Sequence, residues 1–98
     1  MSITVYHFSS PTCAPCKQIK PMMDDIREEF SSKIQWISVN THDDPNNYAL
    51  KMGVTVVPTM VVVTTNSDGT PILTDKHSGT VIMGYYRIIR RAIQTLSR

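Results

Sequence analysis

Eight residues, SSPTCAPC at positions 9–16, separate a strand-like run from a helix-like run, and they hold both cysteines of the chain. Upstream, ITVYHF at 3–8 is rich in β-branched and aromatic residues and reads as a strand. Downstream, Ile19, Met22, Met23, Ile26 and Phe30 recur at helical spacing, with Asp24, Asp25, Glu28 and Glu29 mostly on the other side. A strand therefore feeds a helix through one short turn, and Cys13 falls at the helix start. Pro11, Pro15 and Pro21 surround the thiols. Pro21 lies inside the helical pattern and predicts a kink there.

The rest of the chain alternates in the same way. IQWISV at 34–39 reads as a second strand. Asp44 suits an N-cap, Pro45 a first helical position and Gly53 the residue just past the end, which predicts a short helix at about 45–52. TMVVVT at 59–64 and TPILT at 70–74 form a hairpin across Asn66, Ser67, Asp68 and Gly69. After Lys76, His77, Ser78 and Gly79, a last helix starts between Val81 and Tyr85, with Ile82, Tyr86, Ile89, Ile93 and Leu96 as its buried stripe. The order is βαβ, short helix, ββ, α. The first two strands should be parallel with a right-handed crossover. The fold class is α/β: a four-stranded mixed sheet with about three helices on its two faces.

At 98 residues the chain suits one domain, 1–98, and 41% hydrophobic content is enough for one modest core. Ten Lys and Arg against eight Asp and Glu leave a net charge of +2, which calls for neither nucleic acid nor an anionic membrane. Arg87, Arg90 and Arg91 read as a solvated helix face that complements the helix dipole. MSITVYHFSS lacks the basic and apolar regions of a signal peptide. VTVVPTMVVV at 54–63 is too short to span a bilayer and contains Pro58. These features point to a soluble, cytoplasmic chain. In a reducing compartment a C-x-x-C pair is catalytic or metal-binding rather than a structural staple.

Unpaired N–H groups and the helix dipole at a helix start stabilise a thiolate on Cys13. The thiolate is the form that attacks a disulfide. Cys16, one turn later on the same face, can attack a mixed disulfide formed on Cys13. Pro15 stiffens the loop between them, and Lys17 adds a positive charge or is simply an exposed helix lysine. The same spacing is half of a zinc site. His7, His42 and His77 have no tight ligand spacing to the cysteines, so no metal is assigned. The second element of interest is TVVPT at 55–59. Pro58 is either an edge or bend proline or the proline of a cis peptide after Val57, leaving Val57 backbone groups to pair with an extended substrate.

CAPCKQIKP, with Pro21 five residues after the second cysteine, resembles the thioredoxin motif CGPCK…P, and GVTVVPTMVVV followed by a hairpin is similar to that family's G…PT strand. The resemblance covers nearly the whole chain. It implies the thioredoxin fold without the extra N-terminal strand and helix of full-length thioredoxins, and a cis Pro58 beside Cys13 and Cys16. It implies a protein disulfide reductase acting by dithiol–disulfide exchange. A thioredoxin-reductase-type electron donor would recharge it, with protein disulfides as substrates, ribonucleotide reductase among the candidates, and no cofactor, because the dithiol carries two electrons. A monomer is expected. Thr12, Ala14, Pro15, Val57, Pro58 and Gly79 would shape or border the substrate groove.

Three departures stand out. Thr12 occupies the place of the usual tryptophan, Ala14 that of a glycine, and His7 that of a buried acid behind the second cysteine. Histidine titrates near neutrality and could accept the Cys16 proton. The alternative is a core histidine tied to a backbone carbonyl. Asp43 and Asp44 read as loop and helix cap. A glutaredoxin-like, glutathione-linked activity is the rival within the enzyme class. Short length and TVVP favour it, whereas Pro15 in place of a tyrosine and Ser78-Gly79 in place of a Gly-Gly pair oppose it. An oxidant or isomerase would need an oxidising compartment. A binding or assembly subunit is the rival outside it, and would keep its function after Cys13→Ser.

Overall fold

The structure is a computed structural model that describes residues 1–97. Seven elements follow one another: β1 (Ser2–Ser9), α1 (Ala14–Glu29), β2 (Gln35–Asn40), α2 (Tyr48–Lys51), β3 (Thr59–Thr65), β4 (Pro71–Ser78) and α3 (Ile82–Leu96). The strands form one sheet in the order β2-β1-β3-β4. β1 and β2 are parallel, as the βαβ order requires. β3 runs antiparallel to β1, and β4 antiparallel to β3.

Alternation along β1 divides the core. Ile3 and Val5 point to one face, where Ile19, Met23 and Ile26 of α1 and Tyr85, Ile88, Ile89 and Ala92 of α3 close over Met60 and Val62. Phe8 points to the other face and packs with Val39, Val61 and residues of α2. Both faces are covered, so the central strands carry apolar residues on both sides, and this is why MVVV reads as a continuous run.

Several boundaries differ from the sequence expectation. α1 begins at Ala14 and continues as one helix past Pro21. Met22 is 39% exposed, so the buried stripe of α1 is Cys16, Ile19, Met23 and Ile26. α2 starts at Tyr48 instead of Pro45, because Asn47 takes a left-handed conformation at φ 55°. Asp44 still satisfies its first N–H groups, accepting from Tyr48 N at 3.1 Å and Ala49 N at 2.9 Å. β4 is longer than TPILT and runs on through Lys76, His77 and Ser78. The stripe of α3 is rotated: Gly84, Tyr85, Ile88, Ile89 and Ala92 are buried. Ile82, Tyr86, Ile93 and Leu96 lie at its margins, partly buried.

Candidate active site

Strand register brings three chain segments to one end of the sheet. Phe8 near the end of β1 stands opposite Thr59 at the start of β3. Thr59 in turn stands opposite Ser78 at the end of β4. The turn carrying the cysteines, the Val57–Pro58 segment and Gly79 therefore meet at the edge where β1 ends.

Cys13 and Cys16 are joined as a disulfide with Cα atoms 5.2 Å apart. Cys13 is the N-cap of α1, and its Sγ accepts a hydrogen bond from Cys16 N–H at 3.1 Å. Its carbonyl accepts from Lys17 N, the first backbone bond of the helix. A sulfur at this position takes the place of the usual Ser or Asp cap, so the donors that would satisfy a cap are directed at the reactive atom. Cys13 retains 9% exposure and Cys16 7%. The sulfurs are thus held under a rim of exposed residues, Thr12, Ala14 and Pro15.

The peptide bond between Val57 and Pro58 is cis. Pro58 is buried, and the Val57 side chain packs against the α2-side core. Thr59 ties the approach to β3, its hydroxyl donating to Val56 O at 2.8 Å and lying 2.7 Å from Ser78 Oγ. Gly79 adopts φ 101°, a left-handed conformation that suits glycine, and its N–H donates to Pro58 O at 3.0 Å. The Tyr85 hydroxyl donates to Gly79 O. In the sequence Thr59 figures only within TVVPT and the strand after it, Ser78 only beside Gly79, and neither they nor Tyr85 are assigned a role there. The only signal for Tyr85 was the pair Tyr85-Tyr86, of which Tyr86 fitted the stripe and Tyr85 did not.

His7 lies on the α1 side of β1, directly opposite Met60 of β3. It shares with Cys16, Lys17, Lys20 and Asp24 a cleft of about 410 Å³. Its ring meets the edge of Trp36 at 5.7 Å between centroids. Among the described residues, Nε2 is buried without a hydrogen-bond partner. Burial pushes the imidazole down from 6.5 to about 4; the Asp24 carboxylate opposes this and the Lys20 ammonium reinforces it. His7 is therefore neutral at pH 7. His77 Nε2 is 3.0 Å from Val81 O, and the His42 backbone N–H donates to Asn40 Oδ1. Among the described residues no group of three or more His, Cys, Asp or Glu side chains is arranged to hold a metal. None of the described helices is long and apolar enough to cross a membrane.

Taken together, the site offers a sulfur pair at a helix start, a neutral imidazole on the same cleft as the second sulfur, and a strand approach bordered by Pro58 and Gly79. Comparison with known proteins agrees with this chemistry. The family model for thioredoxin matches residues 1–82. A thioredoxin of Pyropia yezoensis is 36% identical over 55 residues, 56% of this chain and 50% of that protein. The chloroplastic M-type thioredoxin of Pisum sativum is 37% identical over 54 residues, 55% of this chain and 31% of that one. The alignments thus span half the length, or less, of these curated relatives. The X-ray structure of Fasciola hepatica thioredoxin superposes with a TM-score of 0.75 at 25% identity, covering 93% of this chain and 81% of that one.

Proposed function

Because this chain belongs to the thioredoxin family, we propose that it is a protein disulfide reductase working through Cys13 and Cys16. The observation that carries this reading is the Cys16 N–H directed at Cys13 Sγ at the start of α1. In the reduced protein that donor and the helix end favour the Cys13 thiolate. The thiolate attacks one sulfur of a substrate disulfide, forming a mixed disulfide and expelling the other substrate sulfur as a thiolate. Cys16 then loses its proton and attacks Cys13 Sγ. The second substrate thiol leaves, and the intramolecular disulfide closes. Two electrons have passed to the substrate, and a reductase of thioredoxin-reductase type returns them.

His7 is the base for the Cys16 proton in this scheme. Its unpartnered Nε2 and the cleft it shares with Cys16 support that role. With its titration near 4, the imidazole holds the proton only briefly. Val57, Pro58 and Gly79 form the substrate groove, with Thr12, Ala14 and Pro15 on its rim. Val56 and Val81, which are 57% and 65% exposed, give the rim apolar contact area. The chain acts as one monomeric domain, 1–98, in a reducing compartment. The cytoplasm is the simplest choice, although chloroplastic relatives exist. Ribonucleotide reductase is one protein disulfide that such a reductant could serve.

The test uses two variants and one potential. Cys13→Ser should abolish reduction of a disulfide-bonded protein such as insulin, whereas Cys16→Ser should accumulate a mixed disulfide with substrate, visible by mass. A wild-type protein that leaves insulin oxidised, with a cellular function kept in full by Cys13→Ser, would replace this reading with that of a binding subunit. Equilibration of the couple against a thiol buffer should give a potential near roughly −270 mV, whereas a value above roughly −200 mV would indicate glutaredoxin, isomerase or oxidant work.

A further inference from the structure

Behind the groove the structure holds a small buried assembly that the disulfide chemistry does not require. Tyr85 is fully buried in α3, and its hydroxyl donates to Gly79 O while lying 3.4 Å from Pro58 O. Pro58 O is already the acceptor of Gly79 N–H. One hydroxyl therefore sits where the approach to β3 and the turn after β4 come together. The tyrosine is itself held in place. The His77 ring lies edge-on to it, with centroids 4.6 Å apart and an interplanar angle of 88°. His77 Nε2 is bonded to Val81 O, at the start of the same helix. The ring rests on Gly84, where a Cβ would collide with all three of the ring atoms Cε1, Nε2 and Nδ1. Gly84 is thus the position that lets β4 and α3 close on each other.

We infer that Tyr85, clamped by His77 seated on Gly84, is a positioning residue that holds Gly79 and Pro58 in register to receive an extended substrate chain. The inference rests on the reductase reading for its catalytic readout, though not for its structural one. A chain pairing as an added strand needs the receiving backbone fixed before it arrives, and the tyrosine supplies that fixing from behind. The sulfurs are untouched by it, so substrate affinity should respond and the chemical step should not.

Tyr85→Phe removes the hydroxyl and keeps the ring. We expect the KM for insulin to rise about tenfold with kcat unchanged, while the rate with a small disulfide such as hydroxyethyl disulfide, too short to pair with the groove, stays within about twofold. The Cys13–Cys16 potential should not move. Independently of turnover, exchange of the Gly79 amide should quicken about tenfold relative to the Met60 amide in the neighbouring strand. His77→Leu keeps an apolar body on Gly84 but loses the bond to Val81, and should shift both quantities in the same direction by less. Equal KM and equal Gly79 exchange in Tyr85→Phe overturn the positioning role. A parallel loss of rate with both disulfides would do the same, because it would mean general destabilisation. If the wild-type protein reduces neither disulfide, the reductase reading fails, and the Gly79 exchange alone decides whether Tyr85 braces the turn.

Discussion

His7 occupies a strand position where a charge would be costly, and its titration reflects this. Well above pH 6.5 the imidazole is neutral in both the folded and unfolded states and adds nothing to stability. Between 6.5 and about 4 the unfolded chain binds a proton that the folded chain refuses. Stability therefore falls as the pH drops through this window, by up to about 3 kcal/mol for a shift of this size. His7→Leu should flatten that part of the pH–stability profile, read as the difference in denaturant midpoint between pH 4.5 and 7. The same variant should slow resolution of a mixed disulfide about fivefold at neutral pH if His7 takes the Cys16 proton; an unchanged rate would reduce His7 to a core residue. The position of His7, six residues before Cys13, was legible in the sequence, as were the sulfurs and Pro58. Its burial followed from the resemblance, but its surroundings did not, because the edge of Trp36 and α1 lying across β1 are carried by no local pattern.

The elements show where local patterns suffice and where they fail. The N-cap of α1 could be read from the strand, turn and prolines around Cys13. The cap of α2 could be read only in part. Asp44 does satisfy the first N–H groups, but from four residues ahead of Tyr48, because Asn47 turns left-handed between them. Asp44→Ala should destabilise the protein by about 1 kcal/mol, measured by urea unfolding, since two buried or half-buried donors lose their acceptor. In α3 apolar residues occupy more than one face, and the sequence pattern pointed to the stripe of Ile82, Tyr86, Ile89, Ile93 and Leu96. The structure selects the one containing Gly84 and Ala92, small residues that carry little weight in a hydrophobic pattern. At Gly84 the missing side chain makes room for the His77 ring of β4.

On the scale of the whole molecule, two helices share one face of the sheet and a single short helix covers the other. The larger core depends on a few fully buried residues contributed by both α1 and α3. Ile89→Ala, at 0% exposure between them, should cost about 2–5 kcal/mol. That is a large part of the roughly 5–15 kcal/mol typical of a domain, so the variant should show a much lower Tm by calorimetry. The class of sheet and its parallel β1–β2 pair followed from element order alone. The central place of β1 and β3 did not, because a hairpin and a βαβ unit can be joined along either edge. Pairing of Phe8 with Thr59 settles the matter, and by the same step it brings Pro58 to the end of the sheet that carries the cysteines.

The cap of α1 is also the atom that the proposed exchange oxidises and reduces in turn. Cys13 Sγ accepts the Cys16 N–H in the disulfide, and an anionic acceptor would bind that donor more strongly than a neutral sulfur does. The first turn of α1 is therefore held best when the protein is loaded with electrons. Whatever free energy the helix end gives to the thiolate favours the reduced form and raises the potential, by about 30 mV for each 1.4 kcal/mol. In a reductase of this kind the strength of one helix cap would set how willingly the protein parts with its electrons: a firmer cap would make it a more reluctant donor, and a looser one a more forceful reductant.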